Sequence, residues 1–320
     1  MPHLDSYKSI PVECVFPELF PSIALYTKGS GVNFVLYKPS DRPFTQTDQQ
    51  RLERTGTKNI FIHYDDINCI TTYFEKNLSS FLDNSAISDK AKNLILYQTA
   101  MEFVAEVLET PESAPSNLTR CKSLIKNLMK HLSSTTSLLQ VLKDVASDNL
   151  YILSHSVKVA ALTMLVHEKA FNICHDEMLD VGVGAILHDI GMTFISNEIL
   201  EKPEALSNIE YEVVKTHSQK GYDYLNKSGL FSEVSLSIVR HHHEKWDGTG
   251  YPAKLRGDNI SRSAQVTAVC DIYAALVSDR PYRKASSHAD AIRIMESESG
   301  RSFNKELFDN FKLIIGAQNV

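Results

Sequence analysis

The sequence predicts a mainly α protein: an all-α helical domain filling the C-terminal part of the chain, preceded by a small N-terminal α/β module. Three observations predict this. Strand-like runs are confined to residues 22–63, apolar residues recur at three- and four-residue steps from Asp66 onward, and no second strand-rich region, repeat or low-complexity tract follows.

Taken in chain order, SIALYT and NFVLYK read as strands on either side of a Gly-Ser-Gly turn at 29–31, TDQQRLERTG as a short polar helix, and KNIFIH as a further strand. DINCITTYFEKNLSSFL and KAKNLILYQTAMEFVAEVLET then carry helical periodicity. PESAPSN, at 111–117, breaks it, and SLIKNLMKHL, SLLQVLKDVA and further helical segments run to the C-terminus. We therefore expect a regulatory module with its following helices at 1–110, a linker with connecting helices at 111–149, and the all-α domain at 150–320.

Composition narrows the function. With 43% hydrophobic and 22% charged residues in 320, the chain has the makeup of a soluble globular protein. A net charge of −6 argues against a nucleic-acid polymer as partner, while leaving room for a local basic pocket around a small phosphate ligand. The five cysteines are scattered and form no CxxC, so neither a disulfide framework nor a zinc ribbon is expected. MPHLDSYKSIPVE has no apolar leader core, and no stretch approaches the roughly 18 apolar residues of a membrane span. A cytoplasmic protein without membrane insertion is the expectation.

The helical part holds a dispersed set of histidines and aspartates. His3, His63, His131, His167, His175 and His288 stand alone and read as ordinary surface or hydrogen-bonded residues. Others interrupt or end apolar runs: His155 before SVKVAALTMLV, His188 and Asp189 after VGVGAIL, His217 after VVKT, the run His241 to His243 after LSIVR, and Asp271 within AQVTAVCDIYAAL. An ionisable group in such a place must be paired, hydrogen-bonded or metal-bound to offset its desolvation. Several of them converging in one helical domain point to a metal site.

HDIG at 188–191, EILEKP at 198–203, H-x3-G from His217 to Gly221, HHE-x-W-DGTGYP at 242–252 and SDRPYR at 278–283 together resemble, in this order, the HD-GYP domain. That is a branch of the HD phosphohydrolases whose members hydrolyse cyclic di-GMP. The resemblance implies an HD-type helical fold and two divalent transition metal ions, iron first and manganese as the alternative. It implies that His155, His188, Asp189 and Asp271 hold one ion and Asp189, His217, His242 and His243 the other, with Asp189 bridging. Counting back from Trp246 and Glu244 selects His242 and His243 and leaves His241 as a helix-end residue. It implies hydrolysis of cyclic di-GMP to pGpG, and onward to GMP, by attack of a metal-bridging hydroxide, with Asp189, Arg280 and Arg283 in the catalytic machinery. The chemistry agrees, because a phosphodiester anion repels hydroxide and a two-metal clamp answers that repulsion. A guanidinium fork such as Arg280 or Arg283 suits a phosphate or a guanine edge.

The loop residues Asp247, Gly248, Gly250, Tyr251 and Pro252 are expected to line the site and, by the same resemblance, to contact a GGDEF-domain protein. The sequence also departs from the family pattern. Tyr151 stands where some members carry a glutamate for a third metal, Met192 replaces the lysine that ends HDIGK, Gln265 replaces an arginine, and Ala274 an aspartate. A lost charged hydrogen bond costs about 1.5–3 kcal/mol. The alternative reading is accordingly a slow or inactive cyclic di-GMP receptor or adaptor, and a third is an HD phosphohydrolase acting on another nucleotide.

Overall fold

The computed structural model of the chain describes residues 6–17, 19–29, 33–113, 116–134, 151–171, 173–202, 204–279 and 284–317. The expected helix at SLLQVLKDVA, the tip of the turn at 29–31, and Arg280 and Arg283 lie outside the described residues, as does the Tyr151 side chain. The chain divides into two compact units, Met1–Thr99 and Ala100–Val320.

The first unit is built on an antiparallel sheet in the order β1-β4-β2-β3, with β1 Tyr7–Pro11, β2 Leu25–Lys28, β3 Phe34–Lys38 and β4 Asn59–His63. β1 was not anticipated. It pairs with β4 from Tyr7 opposite His63 to Pro11 opposite Asn59, and YKSIP is too short and too mixed to show that pairing locally. Between β3 and β4 runs α1, Gln46–Arg54, opened by a capping box in which Thr45 and Asp48 exchange hydrogen bonds. α2, Ile67–Asp83, contributes the buried Ile70, Tyr73, Phe74, Leu78 and Phe81. The sheet contributes the buried Ile10, Leu25, Ile60 and Ile62. The Tyr73 hydroxyl, which donates to Cys14 O and accepts from Phe16 N, satisfies main-chain groups within this unit.

α3, Asp89–Glu109, is followed within the second unit by α4, Leu118–Ser134, α5, Tyr151–Ala170, and α6, His175–Ile186. Then come the short α7, Asn197–Leu200, α8, Asn208–Lys215, α9, His217–Asn226, α10, Glu233–His241, α11, Arg262–Leu276, α12, His288–Glu296, and α13, Lys305–Ala317. α6 and α11 are apolar on nearly every side, and helices of that kind are stable only when enclosed. α6 packs against α4, α5 and α10, while α11 packs against α5, α10, α12 and α13. Serine caps at Ser207, Ser232, Ser261 and Ser287 start α8, α10, α11 and α12. The buried helices α5, α6 and α11, with the ends of α9 and α10, surround the histidines and aspartates singled out above.

Candidate metal centre

Each donor sits where its helix can aim it inward. His155 projects from α5 and Asp271 from the buried middle of α11. α6 ends at Ile186, so His188 and Asp189 fall in the turn that leads into a 3-10 segment, Ile190–Phe194. His217 is the first residue of α9, and His242 and His243 follow the last residue of α10. Gly191 lets the turn after α6 lie directly on α9. A Cβ there would collide with His217 O and come within 2.8 Å of Gly221 N. The glycine of HDIG therefore sets the approach between the His188–Asp189 pair and His217.

The donors fall into two adjoining groups. Within the group of His155, His188 and Asp271, and within that of Asp189, His217, His242 and His243, candidate ligand atoms lie within 4.8 Å of one another. Asp189 faces both. Its Oδ2 is 3.3 Å from His188 Nε2, and its Oδ1 is 3.3 Å from His217 Nε2 and 3.8 Å from His242 Nε2. His155 Nε2 meets Asp271 Oδ1 at 2.9 Å, and the other Asp271 oxygen is 3.9 Å from His243 Nδ1.

Main-chain carbonyls fix three of the imidazoles. His188 Nδ1 donates to Ala185 O at 2.8 Å, His217 Nδ1 to Val214 O at 2.8 Å, and His242 Nδ1 to Ile238 O and Val239 O at 3.1 and 3.0 Å. With a proton on Nδ1, each ring turns its Nε2 into the cluster, where it offers a lone pair whenever the ring is uncharged. His217 Nε2 and His242 Nε2 then face each other at 3.2 Å with no hydrogen to share. His188 Nε2 is buried without a hydrogen bond, since its contact with Asp189 is close but not aligned. Opposed lone pairs and an unsatisfied buried nitrogen require a proton or a cation between them. Imidazole and carboxylate in this ratio suit divalent iron, manganese or zinc.

Electrostatics point the same way. Burial disfavours the charged form of Asp189, but His188, His217 and His242 around it hold its carboxyl well below the usual range. Burial likewise disfavours the charged form of Asp271, but the His155 hydrogen bond together with the charges of His155, His243 and His188 holds its carboxyl well below the usual range. Burial would lower His188, yet the charges of Asp189 and Asp271 reverse this and carry it up to about 9. Burial together with its neighbouring imidazoles pushes His242 well down, and burial takes His243 to about 4. Two ionised carboxylates, uncharged His242 and His243 and a proton retained on His188 describe a metal-free site that can exchange that proton for a cation.

The loop after His243 is fastened to the site. Glu244 is 3% exposed, and its carboxylate accepts from Ala253 N at 2.7 Å and Leu255 N at 3.1 Å. Burial raises its pKa against the opposing effect of these hydrogen bonds. Asp247 Oδ1 accepts from Thr249 N and Oγ1, Gly248 takes φ +82°, and a Cβ on Gly250 would strike the backbone of His243 to Lys245. The Tyr251–Pro252 peptide is cis. The Tyr251 ring stands 4.8 Å from that of His243, at 33°, beside the donor cluster.

All seven expected donors are thus neighbours. His241 is not among them: its Nδ1 lies 3.4 Å from Ser237 Oγ, back along α10. Met192 is half-buried in the 3-10 turn and Ala274 is buried in α11. Gln265, at the position where the family pattern carries an arginine, donates to Ile260 O at 2.8 Å and lines a separate cavity of about 370 Å³ with Phe171, Arg262 and Asn304. The role of Glu244 was missed because its partners lie nine and eleven residues downstream.

A comparison with known proteins follows the same residues. The chain is 36% identical over 189 residues to a Pseudomonas aeruginosa protein named cyclic di-GMP phosphodiesterase, covering 59% of this chain and 45% of that one. It is 35% identical over 170 residues to a Vibrio cholerae protein named 3′3′-cGAMP-specific phosphodiesterase 3, covering 53% and 36%. The chain therefore spans less than half the length of these curated relatives. A solved Bdellovibrio bacteriovorus structure described as an HDG"Y"P protein shares the fold at a TM-score of 0.66 and 20% identity, covering 97% of this chain and 99% of that one. The model of the HD domain matches residues 125–307, more than half of the chain and all seven donors, and the chain belongs to the HD domain family.

Proposed function

We propose that the chain is a metal-dependent phosphodiesterase that hydrolyses cyclic di-GMP to linear pGpG. The observation that carries this reading is the pair of adjoining donor groups with one Asp189 oxygen turned toward each. His155, His188 and Asp271 would hold one ion and His217, His242 and His243 the other, with Asp189 serving both groups. Divalent ions bound there, iron or else manganese, supply charge neutralisation and bring the pKa of water toward neutrality. The chain's own residues do the rest. The carbonyl-bound Nδ1 atoms keep the imidazoles aimed, Glu244 holds the loop, and Tyr251 covers His243 on the substrate side. Arg280 and Arg283, which follow Ser278 and Asp279, clamp the phosphate. The loop from Asp247 to Pro252 also offers the contact for a GGDEF-domain protein, and residues 1–110 the regulatory input.

Met192 supports a second reading, a receptor that binds cyclic di-GMP with little turnover. A thioether three residues after Asp189 cannot stabilise developing negative charge. Single-turnover incubation of metal-loaded protein, in excess over cyclic di-GMP or 3′3′-cGAMP, separates the readings. Release of pGpG from cyclic di-GMP, stopped by chelator, is the expected result. Tight binding with no product turns the account to the receptor, faster cleavage of 3′3′-cGAMP changes the substrate, and absence of both binding and product removes both readings.

A further inference from the structure

Lys215 ends α8, two residues before His217. Its ammonium lies 4.9 Å from the centre of the Tyr211 ring and 5.7 Å from that of Tyr251, and donates to Glu212 Oε1 at 2.6 Å. Tyr251 rests on His243, with its ring centre 6.4 Å from that of His217, so a single aromatic ring separates the ammonium from the donor cluster. Tyr211 is 50% exposed and lies one turn before Lys215 on the same helix face, giving the rim an open aromatic face with a cation set beside it. The Glu212 carboxylate is itself exposed, and an exposed ion pair contributes little, so an incoming anion can displace it.

A cyclic dinucleotide carries two phosphodiester anions and two purine faces. One phosphodiester at the donor cluster leaves the second toward the rim, where Lys215 is set between the Tyr211 and Tyr251 rings. We propose that Lys215 binds this second phosphodiester and that Tyr211 stacks on a purine beside it. The proposal rests on reading the site as that of a cyclic dinucleotide phosphodiesterase. Stacking on an exposed aromatic face is indifferent to base identity, so this subsite favours a dinucleotide over a mononucleotide without choosing among purines.

The test measures kcat, KM and equilibrium binding of cyclic di-GMP for wild type, Lys215→Met, Lys215→Arg and Lys227→Met, with metal content matched. Lys227 lies beyond the far end of α9, about 15 Å along the helix from His217, and serves as the charge-deletion control. Lys215→Met should weaken binding and raise KM about tenfold, with kcat changed far less. Lys215→Arg should restore most of the loss, and Lys227→Met should match wild type. The gap between wild type and Lys215→Met should narrow at high salt, because a charge contact is screened whereas mere support of Tyr251 is not. Equal affinity in wild type and Lys215→Met overturns the proposal while leaving the phosphodiesterase reading intact. So does a loss that neither arginine rescues nor salt narrows. A metal-loaded wild type that neither binds nor cleaves cyclic di-GMP removes the functional reading and this subsite with it.

Discussion

Asp189→Ala should empty both metal positions and lower turnover by at least about a thousandfold. Asp189 is the one donor whose two oxygens face different groups, Oδ2 toward His188 and Oδ1 toward His217 and His242. Removing it takes a negative charge from each position and leaves the Nε2 atoms of His188, His217 and His242 converging without a carboxylate between them. Asp189→Asn keeps the shape and loses the charge, so it should also fail to retain metal while staying folded. Elemental analysis of both variants beside wild type reads the result, with circular dichroism to establish the fold. Retention of one full ion in Asp189→Ala would show that the aspartate serves only one position.

His243→Ala should lose about one ion per chain and nearly all turnover, whereas His241→Ala should stay within about twofold of wild type in both. The His243 ring is 4.1 Å from that of His242 and 5.0 Å from that of His217, inside the cluster. His241 belongs to the last turn of α10, and a shift of one residue there re-aims a side chain by about 100°. Its ring nitrogen accordingly points back to Ser237. Metal loss in His241→Ala comparable to that in His243→Ala contradicts this register.

The donor cluster was legible because charge is costly within apolar helices: His188, Asp189 and Asp271 stand out from VGVGAIL and AQVTAVCDIYAAL whatever the fold. Helical periodicity likewise exposed α2, α3 and α4. What escaped depends on distant pairing. β1 exists through β4, more than fifty residues away, and Glu244 acts on residues beyond a turn that spacing alone does not close. Gln265 shows a different limit. Six residues before Asp271 on α11, it lies about 240° around the helix from it, so a motif position close in sequence faces another cavity. Of the departures from the family pattern, Gln265 is thus turned away from the donor cluster, while Met192 follows Asp189 by three residues.

A calorimetric titration of metal-stripped wild-type protein with manganese, at pH 7 and again at pH 8.5, tests whether the seven donors form a two-ion centre. His188 is raised to about 9 in the metal-free site, so it holds a proton throughout this window, and a metal must displace that proton to use Nε2. Affinity should therefore rise with pH, by up to about thirtyfold between the two conditions, and level off above the His188 pKa. Saturation at about two ions per chain, with proton release on binding, is the expected result. Saturation at one ion, or no binding at either pH, contradicts a centre built from all seven donors.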